Sequence, residues 1–449
     1  MTREARERDE FRTPFSPKAL RVVQVTTDPA RDSHMDQQNA IRWTPDSKRF
    51  LLRREAADNG AAKPGLWLCD TEDGFAIRPV REWANVLPPF TPTAADAEGS
   101  LSLAGGQLDP AGDSLFEFYQ KGGTLELRRV SLETGKAEPL MTAPAPLSTG
   151  WMDVSADGEH VLLSVFLGDG KTEGAPWALR VFDVRNRRQW LVELTNKHRK
   201  AGASVYRKGA AFCPGNDHAG VYDILVAVGP ARLANGSWLT PPDGSWGPTP
   251  SGDATFDFTC VCRDDGGDYP HDGRGPCRVL PLPAPPAYIT SHACWRGRSA
   301  RTFVASMYNV STTRWRVPFV EVEPAGMEAE TVREARAAAP SKWVDLTRFV
   351  SRADACHFNF DGSGRHLVSD TDGYVLPQTC MLYVGAYVEP EHGDAPYLET
   401  RLLGLARTSW KTQPAHPHPC LSPDGRFAVF QSDFSGRPQV HVAHGFTYP

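Results

Sequence analysis

Short apolar runs alternate along the chain with turns rich in Pro, Asp and Gly, and this pattern predicts β-strands joined by tight hairpins. The clearest copy is Leu421-Ser-Pro-Asp-Gly-Arg-Phe-Ala-Val-Phe430. Asp and Gly tolerate the positive φ angles that a tight hairpin needs, and apolar residues continue on both sides. This strand–turn–strand motif occurs seven times, starting at Trp43, Leu108, Val154, Phe212, Cys294, Phe358 and Leu421. We therefore expect seven small antiparallel sheets.

The spacing of these motifs distinguishes a β-propeller from a β-sandwich. Repeats of about 45 to 80 residues, each a small antiparallel sheet, favour a β-propeller over a sandwich. We predict an all-β fold, a seven-bladed β-propeller of four-stranded antiparallel blades spanning residues 20–449, with loop insertions around 230–285 and 325–340. The apolar segment Leu20–Val25 is expected to pair near Gln439–Val442 and close the ring.

Composition excludes several classes of partner. The 449 residues carry 49 Lys and Arg against 54 Asp and Glu, a net charge of −5, so nucleic acid is not an expected partner. No apolar run approaches the roughly 18 residues of a membrane helix, so we expect no membrane partner. Residues 1–19 are predicted to form a charged N-terminal extension without the apolar stretch of a secretory signal. We expect a cytoplasmic protein, or a periplasmic one if a signal peptide was trimmed. The sequence makes no prediction of the oligomeric state.

Polar residues recur at one position in the strands that precede the turns. Counting five residues back from the turn glycine, or its equivalent, reaches a polar residue in five repeats: Arg42, Gln107, Asp153, His292 and His357. Residues at one offset in equivalent strands lie at one height and face one way. We therefore predict a polar ring that lines the central channel.

Four residues are candidates for binding substrate. His34 and Gln38 lead into the first blade, and an exposed loop without a ligand is the alternative for both. Arg42 and Asp153 belong to the predicted ring, where an ion pair between them across the channel is the alternative.

The last repeat opens with a segment suited to metal ligation, Gln413-Pro-Ala-His416-Pro-His418-Pro419. Its prolines favour an extended chain, on which His416 and His418 share one face because they are two residues apart. With His357 from the neighbouring blade, three imidazoles and the amide oxygen of Gln413 are predicted to converge at the channel mouth and bind one divalent metal. The alternative is a set of hydrogen-bonded channel residues.

These residues resemble the oligogalacturonate lyase family of seven-bladed propeller polysaccharide lyases. The resemblance rests on the segment 413–419 with the turn Leu421-Ser-Pro-Asp-Gly425, on Val368-Ser-Asp-Thr-Asp372 and on Ser291-His292-Ala-Cys-Trp295. It implies a uronate-containing oligosaccharide as substrate and one divalent ion, typically manganese, although zinc or iron would suit similar ligands. The metal ligands that it implies are His357, Gln413, His416 and His418.

The resemblance also places a further active-site histidine at His292. The family's catalytic base is an arginine on an inner strand of the fourth blade, and the strand near Phe256–Cys262 offers no aligned arginine. Related propeller lyases that act on ulvan or rhamnose–glucuronate linkages use His and Tyr instead. We therefore expect His292 as the base or charge stabiliser, with Tyr206 and Arg207 as the second choice because they lead into the fourth blade.

A metal-dependent uronate lyase is the function that these residues predict. Such an enzyme removes the C5 proton, alpha to the carboxylate, and expels the 4-linked sugar by β-elimination, which leaves a 4,5-unsaturated uronate. The proton is weakly acidic because its loss builds a dianion, and a metal or cationic side chain offsets that charge. The alternative is a non-catalytic propeller that binds or scaffolds other molecules, which would not need four metal ligands at one channel mouth.

Overall fold

The computed structural model describes most of the first half of the chain, its last hundred residues, and the core strands between them. The described residues are 4–35, 42–87, 97–101, 106–167, 177–193, 206–212, 223–229, 258–263, 277–279, 288–297, 302–309, 319–322, 343–347, 355–371 and 380–449.

Strands account for nearly all of the regular structure in these residues. The first half of the chain contributes β1 (Arg6–Glu7), β2 (Arg21–Gln24), β3 (Ser33–His34), β4 (Arg49–Arg54), β5 (Gly65–Asp70), β6 (Ala76–Glu82), β7 (Gly99–Ser100), β8 (Gln107–Leu108), β9 (Ser114–Lys121), β10 (Thr124–Ser131), β11 (Ala137–Pro144), β12 (Leu147–Val154), β13 (His160–Phe166), β14 (Trp177–Asp183), β15 (Arg188–Glu193) and β16 (Tyr206–Phe212). A single 3-10 turn, Asp9–Phe11, lies among these strands within the described ranges.

The second half continues in the same way. It contributes β17 (Asp223–Gly229), β18 (Phe258–Arg263), β19 (Cys277–Val279), β20 (Tyr288–Trp295), β21 (Phe303–Asn309), β22 (Phe319–Val322), β23 (Trp343–Asp345), β24 (Ala355–Phe360), β25 (His366–Thr371), β26 (Met381–Val388), β27 (Tyr397–Leu405), β28 (Cys420–Leu421), β29 (Phe427–Ser432) and β30 (Gln439–His444). A 3-10 turn at Gln413–Ala415 precedes β28. None of the helices in the described ranges is long and apolar enough to cross a membrane.

Within the described residues these strands form seven antiparallel sheets. Five of them are four-stranded and follow chain order, namely β3 to β6, β12 to β15, β16 to β19, β20 to β23 and β24 to β27. In the second sheet β7 and β8 both pair with β9, followed by β10 and β11. The predicted all-β propeller of antiparallel sheets is confirmed.

The two ends of the chain meet in the remaining sheet, whose order is β1-β2-β30-β29-β28. Strand β2 pairs antiparallel with β30, from Arg21 opposite His444 to Gln24 opposite His441. A strand near the start of the chain thus completes the sheet built by its last residues, as the apolar segment 20–25 predicts.

The sheets are arranged around their first strands. Strand β12 contacts β8 and β16, and β24 contacts β20 and β28. The first strand of each of these sheets therefore lies next to the first strand of the next sheet, as it must around a central axis. This arrangement brings side chains from neighbouring blades together near the axis.

The hydrophobic core lies between adjacent sheets. Phe116 and Phe118 of the second sheet pack with Val161 and Leu163 of the third in one continuous cluster of buried side chains. Equivalent clusters fill the spaces between the first and second, fifth and sixth, sixth and seventh, and seventh and first sheets. The apolar strand residues of each repeat are therefore buried by the next repeat, which explains why the pattern recurs along the chain.

Part of the predicted extension 1–19 belongs to the last sheet, and the region of one predicted insertion contains two strands. Strand β1 pairs with β2, and Phe11 is buried against Phe430, with ring centroids 5.7 Å apart, so part of the charged segment packs onto the last sheet. The region 230–285 includes β18 and β19 of the fourth sheet, and its other residues lie outside the described ranges, as does the insertion at 325–340.

Candidate metal centre

The turn glycines set the register of the inner strands, and they correct one position of the predicted ring. Ser47, Gly112, Gly158 and Gly425 have positive φ and close equivalent turns. In the sixth repeat the residue with this role is Gly364, whose N–H donates to the Asp361 carbonyl, and not Gly362. Five residues back from Gly364 is Asn359, so the prediction that His357 shares the offset of His292 is wrong. His357 instead lies seven residues before its turn glycine, as His418 does before Gly425.

The ring residues bond one blade to the next. Arg42 donates to the Gly106 carbonyl (3.2 Å), the Gln107 amide donates to the Met152 carbonyl (3.4 Å), and Asp153 accepts from the Phe212 N–H (2.8 Å). Asn359 continues the pattern by accepting from the Leu421 N–H at 3.2 Å. In each pair the second residue lies in, or directly before, an inner strand of the following sheet. This register therefore forms a belt of hydrogen bonds between blades, and Arg42 and Asp153 are buried in it.

Irregular pairing between the first and second strands of a sheet changes the direction of side chains on the inner strands next to this belt. The register of the first strand shifts in four successive sheets, between Ser148 and Met152, Arg207 and Gly209, Thr290 and His292, and Ala355 and Phe358. Such bulges bend a strand and turn its side chains, and they are frequent beside functional sites. His292 and His357 both lie at these shifts.

Three histidines converge at the junction of the sixth and seventh sheets. The candidate ligand atoms of His357, His416 and His418 all lie within 4.8 Å of one another, and each residue is only 3–4% exposed. The ring centroids of His357 and His418 are 4.3 Å apart, and that of His416 is 5.7 Å from His357. The sequence prediction that these three imidazoles meet agrees with this geometry.

The chain reaches this arrangement through a turn and not through an extended strand. Gln413–Ala415 form a 3-10 turn that ends at His416, and His418 has a left-handed φ of 40°. His tolerates this region better than most residues. Pro417 and Pro419 fix the backbone on either side of His418. The two imidazoles therefore face one point through a local fold of the backbone that alternation along a strand does not supply.

A buried carboxylate orients His357. Its ring Nδ1 lies 2.7 Å from Oδ2 of Asp370, and its backbone N–H donates to Oδ1 of the same carboxylate at 2.7 Å. Burial raises the pKa of Asp370, while the adjacent His357 opposes that shift. With Nδ1 occupied, His357 presents Nε2 to the cluster, the arrangement of a carboxylate behind a metal-binding histidine.

Two further side chains hold the other rings. Trp410 stacks on His416, with centroids 4.3 Å apart and planes 29° apart, and also on His357 at 5.3 Å. The Gln431 amide nitrogen lies 3.0 Å from Nδ1 of His418, and its oxygen accepts from the Met35 N–H at 2.7 Å. Gln431 thus links the ring of His418 to the first blade.

Burial keeps the imidazoles of His416 and His418 neutral. Burial first, and then the neighbouring His357, lowers the pKa of His416 to about 3. The same causes lower the pKa of His418 well below its ordinary value. A neutral imidazole carries the lone pair that a metal ion needs, so these two histidines are suited to ligation at neutral pH.

Of the remaining predicted metal and catalytic residues, His292 lies beside the cluster. The ring of His292, on β20, is 4.7 Å from that of His357 between centroids, and it is partly exposed. Gln413 is exposed, and its carbonyl accepts from the His416 N–H at 3.1 Å. Tyr206 and Arg207 begin β16, the inner strand of the fourth sheet, opposite Gly229 and Val228.

The substrate-binding candidates of the first blade have different outcomes. His34 is buried on β3, with Nε2 at 3.0 Å from Glu55 Oε1, so the exposed-loop alternative is wrong for it. His34 also lies close enough to the cluster to contribute to the lowered pKa of His418, after burial and the other histidines. Gln38 lies outside the described residues.

Two of the site residues that the sequence analysis did not predict share one signal. Asp370 and Gln431 are polar residues on second strands, where the propeller pattern predicts apolar packing, and both are fully buried. Trp410 and Cys356 stand next to recognised histidine motifs. Polar residues inside otherwise apolar strands would have pointed to Asp370 and Gln431, although not to their partners.

Fold and site together define a β-propeller with a buried imidazole cluster between two blades. Solved oligogalacturonate lyases share this fold. One in complex with manganese matches with a TM-score of 0.62 at 17% identity, covering 99% of this chain and 98% of that chain. The oligogalacturonate lyase of Vibrio parahaemolyticus matches at 0.62 and 14% identity, covering 99% and 97%. No protein-family model and no curated protein sequence matches the chain. The predicted resemblance to these lyases is confirmed as a likeness of fold.

Proposed function

We propose that this propeller is a metal-dependent lyase that cleaves uronate-containing oligosaccharides by β-elimination and leaves a 4,5-unsaturated uronate. The observation that carries the proposal is the buried cluster of His357, His416 and His418, with Asp370 behind His357. The likeness over the whole chain to oligogalacturonate lyases, one of them in complex with manganese, supports it.

The donor set fits one divalent ion. The candidate ligand atoms of His357, His416 and His418 lie within 4.8 Å of one another. The proposed fourth ligand is the amide oxygen of Gln413, the residue that begins the turn ending at His416. Manganese is the first choice, and zinc or iron would accept the same nitrogen and oxygen donors. When bound, the ion would supply positive charge against the substrate carboxylate, whose negative charge grows as C5 loses its proton.

His292 is the proposed base. It stands on the bulged strand β20 beside His357 and is less buried than the three clustered histidines, so it is placed to meet a substrate. Its imidazole would take the C5 proton, the C5–H electron pair would become the C4–C5 double bond, and the C4–O bond would break, with the leaving oxygen taking a proton. Tyr206 and Arg207 on the inner strand of the fourth sheet remain the second choice.

The proposed substrate contacts are revised by the hydrogen-bond belt. His34 stays a proposed substrate contact, because it lies near the cluster, with its Nε2 paired with Glu55. Arg42 and Asp153 bond to neighbouring blades, so we propose that they position the inner strands. Gln38 stays a prediction.

The test combines metal content with turnover. Protein purified without chelator is expected to contain about one equivalent of a divalent metal and to raise the ultraviolet absorbance of a conjugated enoate from uronate oligosaccharides. Chelation should abolish turnover, and manganese should restore it. His416→Ala with His418→Ala should lose metal. His366→Ala is the matched control, because His366 pairs with Asp361 outside the cluster. Protein with neither metal nor turnover would favour the non-catalytic binding module.

A further inference from the structure

The strand that carries His357 also carries a thiol that the proposed function does not use. Cys356 precedes His357 on β24 and is 3% exposed. Its Sγ lies 3.9 Å from Nε2 of His357 and 4.0 Å from Nδ1 of His292. These three residues form a second group of potential ligands that shares His357 with the three-histidine cluster.

The bulge in β24 explains how two consecutive residues reach one place. In a regular strand Cys356 and His357 would point to opposite faces of the sheet. The pairing of β24 with β25 shifts between Ala355 and Phe358, so both residues lie within the irregular segment. Because a bulge turns side chains away from strict alternation, the thiol and the imidazole approach each other. His292 lies beside the corresponding shift in β20.

We propose that His292, Cys356 and His357 form a second metal position, selective for thiophilic divalent ions such as zinc, cobalt and cadmium. Thiolate is a soft ligand that favours these ions over manganese. On binding, the thiol loses its proton to the solvent and forms the bond from sulfur to metal. Zinc bonds of about 2.3 Å to sulfur and about 2.0 Å to nitrogen place neighbouring tetrahedral ligands about 3.5 Å apart. The separations of 3.9 and 4.0 Å therefore require each imidazole to move only slightly toward the sulfur.

His357 makes the two positions mutually exclusive. Asp370 occupies its Nδ1 at 2.7 Å, so Nε2 is the nitrogen offered to an ion, and its one lone pair serves one metal. An ion in the thiolate position takes His357 from the three-histidine cluster and also takes His292. One consequence, that thiophilic ions bound in this position inhibit turnover, rests on the proposed function. The metal position itself does not.

Cobalt(II) is the probe, because a thiolate ligand gives an intense near-ultraviolet charge-transfer band that imidazole ligands lack. Metal-free full-length protein titrated with cobalt chloride is expected to develop this band, and excess manganese should weaken it. Cys356→Ser should lose the band and still bind manganese. Cys380→Ser is the matched control, because Cys380 is buried in the same core cluster but donates to the Thr371 carbonyl at 3.2 Å, so it should keep the band.

A parent protein without the band overturns the proposal, whether or not cobalt binds, and so does a band that survives in Cys356→Ser. X-ray absorption of the zinc-loaded parent needs no variant and should show one sulfur at about 2.3 Å; a spectrum without sulfur also overturns it. A thiolate band in protein without lyase activity would support the metal position and count against the proposed function alone.

Discussion

Asp370 accepts two hydrogen bonds from His357, one from the ring Nδ1 and one from the backbone N–H, both at 2.7 Å. One carboxylate therefore fixes both the backbone and the ring of a residue in the bulge of β24. With Nδ1 bonded to Asp370, Nε2 is the ring nitrogen that faces His416 and His418.

Asp370→Asn is expected to weaken manganese binding by about 10- to 100-fold, because loss of such a supporting carboxylate loosens the orientation of the ring. Calorimetric titration of metal-free protein measures the dissociation constant. Asp361→Asn is the control, since Asp361 lies outside the cluster and its Oδ2 is 2.8 Å from Nδ1 of His366. Equal manganese affinity in Asp370→Asn and the parent would contradict the orienting role.

His292→Ala is expected to lower kcat/KM by about 10²- to 10⁴-fold, the contribution of a positioned base. Manganese affinity should remain, because the three-histidine position does not include His292. The rate is followed by enoate absorbance, and metal is measured on the same preparation. Loss of metal together with turnover would make His292 a positioning residue, and near-parental turnover would move the proposed base to Tyr206.

Asp153→Ala is expected to lower the free energy of unfolding by about 1–3 kcal/mol, since it removes the buried acceptor of the Phe212 N–H. Asp153→Asn keeps an acceptor oxygen and should cost less. Denaturant unfolding of both variants measures the difference. If Asp153 instead binds substrate, Asp153→Asn will raise KM while leaving stability near that of the parent.

The buried His441 is expected to make the protein less stable in acid. Burial lowers its pKa to about 3, whereas an exposed histidine has a pKa of about 6.5. Between these values the unfolded chain binds a proton that the native protein excludes, so the free energy of unfolding falls as the pH falls through this window. The slope from one such group is at most about 1.4 kcal/mol per pH unit. His441→Phe should show a shallower slope in chemical unfolding between pH 4 and 6.5, and an unchanged slope would contradict this assignment.

The pattern along the chain predicted the strands, the turns and the propeller because these depend on local chemistry. Asp and Gly in each turn allow the positive φ that the structure shows at Gly158 and Gly425. The same local reasoning failed at the sixth turn, where two glycines compete. Gly364 and not Gly362 takes the left-handed position, so the predicted offset of His357 was two residues from its true place.

A few neighbouring residues are enough to show which residue types could bind a metal and to predict that His416 and His418 belong to one site. The groups that surround these histidines come from other segments and are placed by the packing of the folded chain. Asp370 reaches His357 through a bulged strand pair, and Trp410 stacks on rings from two segments. Arg42, Gln107 and Asp153 bond to the backbone of the next blade. Bulges and contacts between blades arise from packing between residues far apart in the chain, and alternation within one strand carries no record of them.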